Sequence, residues 1–285
     1  MDNNKLNMTS KLSEVKFDPK KSQERCIKYR RKILDISQQV QALHGGGALS
    51  VIEIVDFIYH GLIYSDNKND KSNTFIMSKG HGCMAQYVIL NKLGVLSDKD
   101  LDNYCKPEGI LGCHPDYGNP GIEASTGSLG HGMGIAVGMA HYEKIKNTNN
   151  NIFVVISDGE LQEGSTWEAM MMAANLELDN LICFLDHNGS QSFGHTIETH
   201  PKFYPIKEKV LAFNWGCNLA NGHDVSELTN AYNTRNNMNK PHMILCDTVK
   251  GRGVSFMENQ PIWHYRSPDK DEYITAISEL GLVIR

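Results

Sequence analysis

Residues 157–188, SDGELQEGSTWEAMMMAANLELDNLICFLDHN, leave the chain few ways to fold. An apolar, β-branched run over 152–156 precedes this stretch and a second run over 181–185 runs close to its end, so each reads as a buried strand. Between them, residues 162–178 are rich in Glu, Ala, Met and Leu, and Trp167, Met170, Met171, Ala174 and Leu178 recur at helical spacing. The methionine run Met170, Met171, Met172 reads as core packing. A strand–turn–helix–strand unit makes a right-handed crossover, so its two strands are parallel and their carboxyl ends can open into one crevice. Asp158 follows the first strand and Asn188 follows the second. One carboxylate and one amide oxygen there suit Mg2+, which takes oxygen ligands and shares its remaining coordination with water and phosphates.

With 285 residues the chain can bury a substantial core, and the absence of an internal repeat or a domain-sized linker predicts a single α/β domain. Its 28 basic and 33 acidic residues leave a net charge of −5, which supplies no electrostatic drive toward nucleic acid or a membrane surface. No run of 18 apolar residues occurs and the amino terminus lacks the apolar core of a signal peptide, so a cytoplasmic location is expected. The seven cysteines form no Cys-x-x-Cys pair and read as free or buried thiols.

Residues 1–21 are polar and unpatterned, the signature of a flexible arm, and the domain is expected over 22–285 with a loop or linker at its carboxyl end. An amphipathic helix is expected from Ser22, as N-cap, to Leu43. It gives way to the glycine run 45–47, and Ser50 is expected to cap a helix over 51–63. A short strand over 72–77 leads into Ser78-Lys79-Gly80-His81-Gly82 and a helix over 83–93, which puts His81 at a turn where amide N–H groups favour phosphate. Residues 105–119 read as a functional loop holding Gly112-Cys113-His114-Pro115. Gly130, Gly134 and Gly138 fall four apart, on one helical face that can press against another backbone or a flat ligand. Further strands are expected over 216–220 and 243–247, around a helix over 225–235.

The interval from Asp158-Gly159 to Asn188 resembles the Mg2+- and diphosphate-binding motif of thiamine diphosphate enzymes, and SDGELQEGSTWEA resembles transketolases in particular. Five further blocks occur in the family's order: Leu43-His44-Gly45-Gly46, Met77 to Gly82, Gly112 to Pro115, Thr126 to Gly130, and Lys250-Gly251-Arg252-Gly253 with Trp263-His264. Nearly the whole chain thus resembles the amino-terminal subunit of a split transketolase. That implies a parallel β-sheet flanked by helices, the thiamine diphosphate-binding fold of the PP domain. Two departures stand out: Ser157 where the family most often has glycine, and His131 where it usually has glutamine.

Carried over residue by residue, the resemblance implies that Asp158 and Asn188 hold Mg2+, or Ca2+ or Mn2+ in its place, with the carbonyl of Ser190 as a third ligand. It implies that Gly159, His81 and Lys250 approach the diphosphate and that Gly127, Ser128 and Leu129 lie by the cofactor's rings. His44, His114 and His264 resemble the histidines that meet a sugar's hydroxyls. Glu163 and Glu168 resemble glutamates that link cofactor sites across the dimer, although both suit a solvated helix. Glu160 is counted with the cofactor site, although a carboxylate there can simply start a helix, where the dipole favours it. The implied reaction is transfer of a two-carbon ketol unit from a ketose to an aldose, with sugars or sugar phosphates as substrates. The chain ends before a pyrimidine-binding domain, so the expected partner is a separate carboxy-terminal subunit, in an α2β2 assembly. The alternatives are the α subunit of another thiamine diphosphate enzyme, a 2-oxo acid dehydrogenase or carboligase, and a non-catalytic cofactor-binding paralogue. His60, His141, His195, His200, His223 and His242 lie outside the matched blocks and read as ordinary surface or core residues.

Overall fold

The apolar runs at 152–157 and 181–187 are buried at every position except the last, His187, so the sheet they enter is covered on both faces. The structure is a computed structural model that describes residues 14–64, 73–192, 194–236 and 239–281. Its strands are β1 (Thr74–Met77), β2 (Ile152–Ser157), β3 (Leu181–His187), a short antiparallel ribbon of β4 (Ser190–Gln191) and β5 (Gly194–His195), then β6 (Gly216–Asn221) and β7 (His242–Asp247). The five long strands form one all-parallel sheet in the order β1-β2-β3-β7-β6. The expected parallel sheet flanked by helices is therefore present. Residues 1–13 of the expected arm, and Ser72 at the start of the expected strand, lie outside the described residues.

The helices are α1 (Pro19–Ser37), α2 (Gly45–Ser50), α3 (Ile52–Asp56, continued as a π-helical stretch over Phe57–Ile63), α4 (Cys83–Lys92), α5 (Asp98–Asp102) and α6 (Gly132–Ile145). They continue with α7 (Gly164–Asn175), α8 (Thr196–Thr199), α9 (Ile206–Ala212), α10 (Val225–Asn233) and α11 (Lys270–Glu279). Alternation along the strands splits the core in two. Phe153, Val155, Ile182, Phe184 and Ile244 pack with α1 to α5, α10 and α11, while Val154, Ile156, Cys183, Leu185 and Met243 pack with α6, α7 and α9. Among the described residues no helix is long and apolar enough to cross a membrane, and all seven cysteines are free.

Several local expectations are corrected. Helix α1 starts at Pro19, with Asp18 as the N-cap accepting from the Lys20 and Lys21 amides. Ser22 is instead buried inside the helix, where its hydroxyl and the Arg25 guanidinium both bind the buried carboxylate of Asp56. The glycine run itself forms the short helix α2, and as expected it lets backbone pass close: a Cβ at Gly46 would come within 2.8 Å of the Trp263 carbonyl oxygen. Ser50 belongs to that helix and caps nothing; its hydroxyl turns to Gly47 O and Asp186. In α7 only Met170 of the methionine run is in the core, since a helix turns each successive side chain by about 100°: Met171 is 54% and Met172 51% exposed. Gly134 and Gly138 also open outward, with nothing within 4 Å of a Cβ built there. Helix α11 lies beyond the helices expected from the sequence, although Asp269 and Glu272 form the capping box that starts it.

Phe184 fills the middle of the central strand with no solvent exposure, whereas Asp18 caps one helix at the surface. Denaturant unfolding is expected to show a loss of about 3–5 kcal/mol for Phe184→Ala and about 1 kcal/mol for Asp18→Ala.

Candidate active site

The register that pairs Ser157 with Asp186 and His187 with Asp247 ends β2, β3 and β7 on one level. Asp158, the first residue after β2, is fully buried; its Oδ1 accepts from the Gly159 amide at 2.9 Å and its Oδ2 from the Gly189 amide at 2.7 Å. Burial, reinforced by the Asp186 carboxylate, raises its pKa to about 6 against the pull of His187 and the two amides. Beneath it, Lys79 and Asp186 form an ion pair with no solvent exposure on either side chain. Ser50 Oγ and Asn188 Nδ2, each at 2.8 Å, and Thr248 Oγ1 also donate to Asp186, while Lys79 Nζ donates to Gly47 O at 2.9 Å. Burial opposes ionisation of Asp186, but the Lys79 charge and these donors outweigh it and hold the carboxyl below its ordinary range. An ionised carboxylate only accepts, so it turns the Asn188 amide nitrogen toward itself. The amide oxygen is left on the other side, where the Ser190 amide donates to it at 3.0 Å.

Above these strand ends lies a cleft of about 360 Å3 whose walls include Gly47, His81, Leu129, Gly159, Asn188, Lys250 and His264. His81 and His264 line it, and His44 and His114, outside the lining, join them in one ring cluster. The His44 ring centroid is 5.7 Å from His81, 5.8 Å from His114 and 5.4 Å from His264, and Tyr265 lies 4.4 Å away on the same ring. Burial, then His114 and Lys250, lowers the pKa of His44 to about 4; burial, then Lys250 and His44, does the same to His264. His81 is pushed well below its ordinary value by burial and by Lys79. These three rings are therefore neutral at pH 7, each with one N–H and one lone pair. Lys250 is lowered to about 8 by burial and Lys79, so it stays mostly charged and donates to His264 Nδ1 at 3.0 Å. That bond leaves the His264 proton on Nε2, on the side of the Ser192 hydroxyl at 3.5 Å.

Two buried polar atoms, Gln162 Nε2 in the cleft wall and His44 Nδ1 in the ring cluster beside it, have no hydrogen-bond partner among the described residues. Buried polar atoms without partners are uncommon in proteins, which makes these two candidates for ligand contact. Among the described residues no group of three His, Cys, Asp or Glu side chains is arranged to hold a metal ion. The strand ends offer instead one carboxylate, one amide oxygen and the main chain of Ser190.

The residues singled out in the sequence do not all meet. Ser190 and Glu163 line the cleft, whereas Ser128 and Glu168 are exposed and are not part of its lining. Gly127 has φ 145° and presses on His114, whose Cγ would lie 2.8 Å from a Cβ there. Glu160 does start a short 3-10 helix, Glu160–Gln162, but it is fully buried there, with Ser78 Oγ and the Gly130 amide donating to its Oε1, and burial raises its pKa. The Ser157 hydroxyl accepts from the Glu160 amide at 3.2 Å and so caps the turn over Glu160–Gln162. His131 bonds only locally, to the Leu129 carbonyl at 3.2 Å. Sequence reasoning missed Gln191, Ser192 and His200 in the cleft wall, and Ser50, Lys79, Asp186 and Thr248 beneath it. Lys79 stood inside a matched block and Asp186 two residues before Asn188, but His200 carries no local signal.

Residues 22–282 match the family described as transketolase, thiamine diphosphate binding domain. The chain is 34% identical over 258 residues to one subunit of the apulose-4-phosphate transketolase of Phocaeicola vulgatus, covering 89% of this chain and 92% of that protein. It is 36% identical over 242 residues to the 6-deoxy-6-sulfo-D-fructose transketolase subunit SqwG of Clostridium sp. (strain MSTE9), covering 83% and 88%. The crystal structure of transketolase from Campylobacter jejuni superposes with a TM-score of 0.84 at 26% identity, over 93% of this chain but only 43% of that one. The chain belongs to the transketolase family, as a subunit of the split type that carries the thiamine diphosphate-binding domain.

Proposed function

We propose that the chain is the cofactor-binding subunit of a thiamine diphosphate- and Mg2+-dependent enzyme that moves a two-carbon ketol unit from a ketose to an aldose. The observation that carries this reading is the gathering of His44, His81, His114 and His264 over strand ends that present Asp158, Asn188 and Lys250. The residues present fit the cofactor: the cleft is lined by Asn188 and Ser190 and is cationic at Lys250, with Gln162 Nε2 in its wall and His44 Nδ1 beside it left unsatisfied. Asp158, the Asn188 amide oxygen and the Ser190 carbonyl would hold the divalent ion. Lys250, Gly159 and His81 would receive the diphosphate, with Gly127, Ser128 and Leu129 by the rings. When bound, thiamine diphosphate supplies the carbanion and electron sink for breaking and making the carbon–carbon bond. His44, His114 and His264 would exchange hydrogen bonds and protons with the sugar's hydroxyl and carbonyl oxygens, a task suited to neutral imidazoles. Polyhydroxylated sugars or sugar phosphates are therefore favoured over 2-oxo acids.

The relatives named as subunits match this chain over most of their own length, which supports a partner in the form of a separate carboxy-terminal subunit, in an α2β2 assembly. Reconstitution with that subunit is expected to give ketol transfer from a ketose and no turnover of pyruvate, while the chain alone transfers nothing. Activity on pyruvate alone would assign the chain to another thiamine diphosphate chemistry. Calorimetry with thiamine diphosphate and Mg2+ is expected to show Asp158→Asn and Asn188→Ala each weakening binding by about 100-fold or more; unchanged affinity in both would remove the metal reading.

The imidazoles also predict a pH dependence for the unliganded chain. His44 and His264 titrate near 4 when folded, and a histidine unfolds to an ordinary value of 6.5, so the unfolded chain binds more protons between these values. Their contribution is intact above 6.5 and is lost as the pH falls toward 4. Asp158, held near 6, acts in the opposite sense. The double variant His44→Asn/His264→Asn is therefore expected to lose less stability than the parent between pH 6.5 and 4 in parallel denaturant titrations.

A further inference from the structure

Lys250 sits between two anchored main-chain groups, and both anchors belong to one buried ionic cluster on the far side of the loop from the cleft. The Val249 amide donates to His223 Nε2 at 2.9 Å, and the Arg252 carbonyl accepts from Arg30 Nε at 2.9 Å. Between His223 and Arg30 lies Glu53. Its Oε1 takes Arg30 Nη1 at 2.6 Å, and its Oε2 takes Arg30 Nη2 and His223 Nδ1, each at 3.0 Å. Because a backbone N–H can only donate, Nε2 of His223 is bare and the ring proton is on Nδ1, facing Glu53. Arg30 and Glu53 are 5% and 8% exposed, and their positions in α1 and α3 are rigid parts of the core. The chain of contacts therefore runs from two packed helices, through one imidazole, to the residue next to Lys250.

A buried ion pair is a weak source of stability, since apolar residues of the same shape usually serve as well. What this cluster does that apolar residues could not is present an acceptor at one fixed point to the Val249 amide. The consequence is geometric. Lys250 is only 2% exposed and reaches His264 at 3.0 Å, so a small shift in the backbone at 249–252 moves its ammonium out of line with the cleft.

We propose that His223 is a positioning residue that sets the place of Lys250 through the backbone of Val249. This rests on the reading that Lys250 binds the cofactor's diphosphate. Asparagine and glutamine separate the two halves of the imidazole. In His223→Asn the side-chain amide can still donate to Glu53 but nothing reaches Val249, whereas in His223→Gln an oxygen can take the place of Nε2. The test is the affinity of the full chain for thiamine diphosphate with Mg2+, measured by calorimetry for Asn, Gln, Lys250→Met and Lys250→Met combined with each. His223→Asn is expected to weaken binding roughly tenfold, and His223→Gln to stay within about threefold of the parent. On the Lys250→Met background neither substitution is expected to weaken binding further. Equal losses for Asn and Gln, no loss for Asn, or losses that multiply on the Lys250→Met background would overturn the positioning role. If Lys250→Met itself binds like the parent, the reading of Lys250 fails, and the proposal fails with it for that separate reason.

Discussion

The site depends on one buried ion pair, Lys79 with Asp186. Neither side chain touches solvent, yet the pair draws together the end of β1, helix α2 through Gly47 and Ser50, the end of β3, and Thr248 beyond β7. Taking both charges out of water is costly, and only the complete set of donors around Asp186 makes it tolerable. The gain is directional: a carboxylate forced to accept from every side decides which way Asn188 presents its amide. Lys79 also places positive charge under the cleft, which adds to burial in keeping His81 and Lys250 below their ordinary pKa values.

That arrangement divides the cleft by charge. Asn188 and Lys250 stand in its lining, with the buried Asp158 carboxylate just behind at the end of β2: oxygen groups suited to a cation on one side and an ammonium suited to an anion on the other. Between them the imidazoles of His44, His81 and His264 are uncharged at neutral pH, so they can exchange hydrogen bonds with hydroxyl groups without holding a charge of their own. Low dielectric strengthens each of these contacts, which is why few residues suffice. The ionic cluster of Arg30, Glu53 and His223 does for the loop at 249–252 what Lys79 and Asp186 do for the loop after β3. In both, a buried charge pair holds groups of a loop that carries a cleft residue, Asn188 in one and Lys250 in the other.

The amino-acid sequence alone determined the five long strands, most of the longer helices, the parallel crossover from β2 to β3, and the placement of Asp158 and Asn188 after neighbouring strand ends, because hydrophobic periodicity and turn chemistry are local properties. It also marked His44, His81, His114 and His264, each set in a glycine-rich or loop block. What only the tertiary structure decided is pairing at a distance. Lys79 meets Asp186 across 107 residues, Ser50 meets the same carboxylate across 136, and His223 meets Glu53 across 170. His200 reached the cleft wall and His223 the loop anchor although both read as ordinary surface or core residues, and Ser22 turned from cap to core, where its hydroxyl binds Asp56. A residue's neighbours along the chain set its conformation, but a buried charge takes its partner from whatever the packed helices and strands bring within reach, and no local pattern encodes that distance.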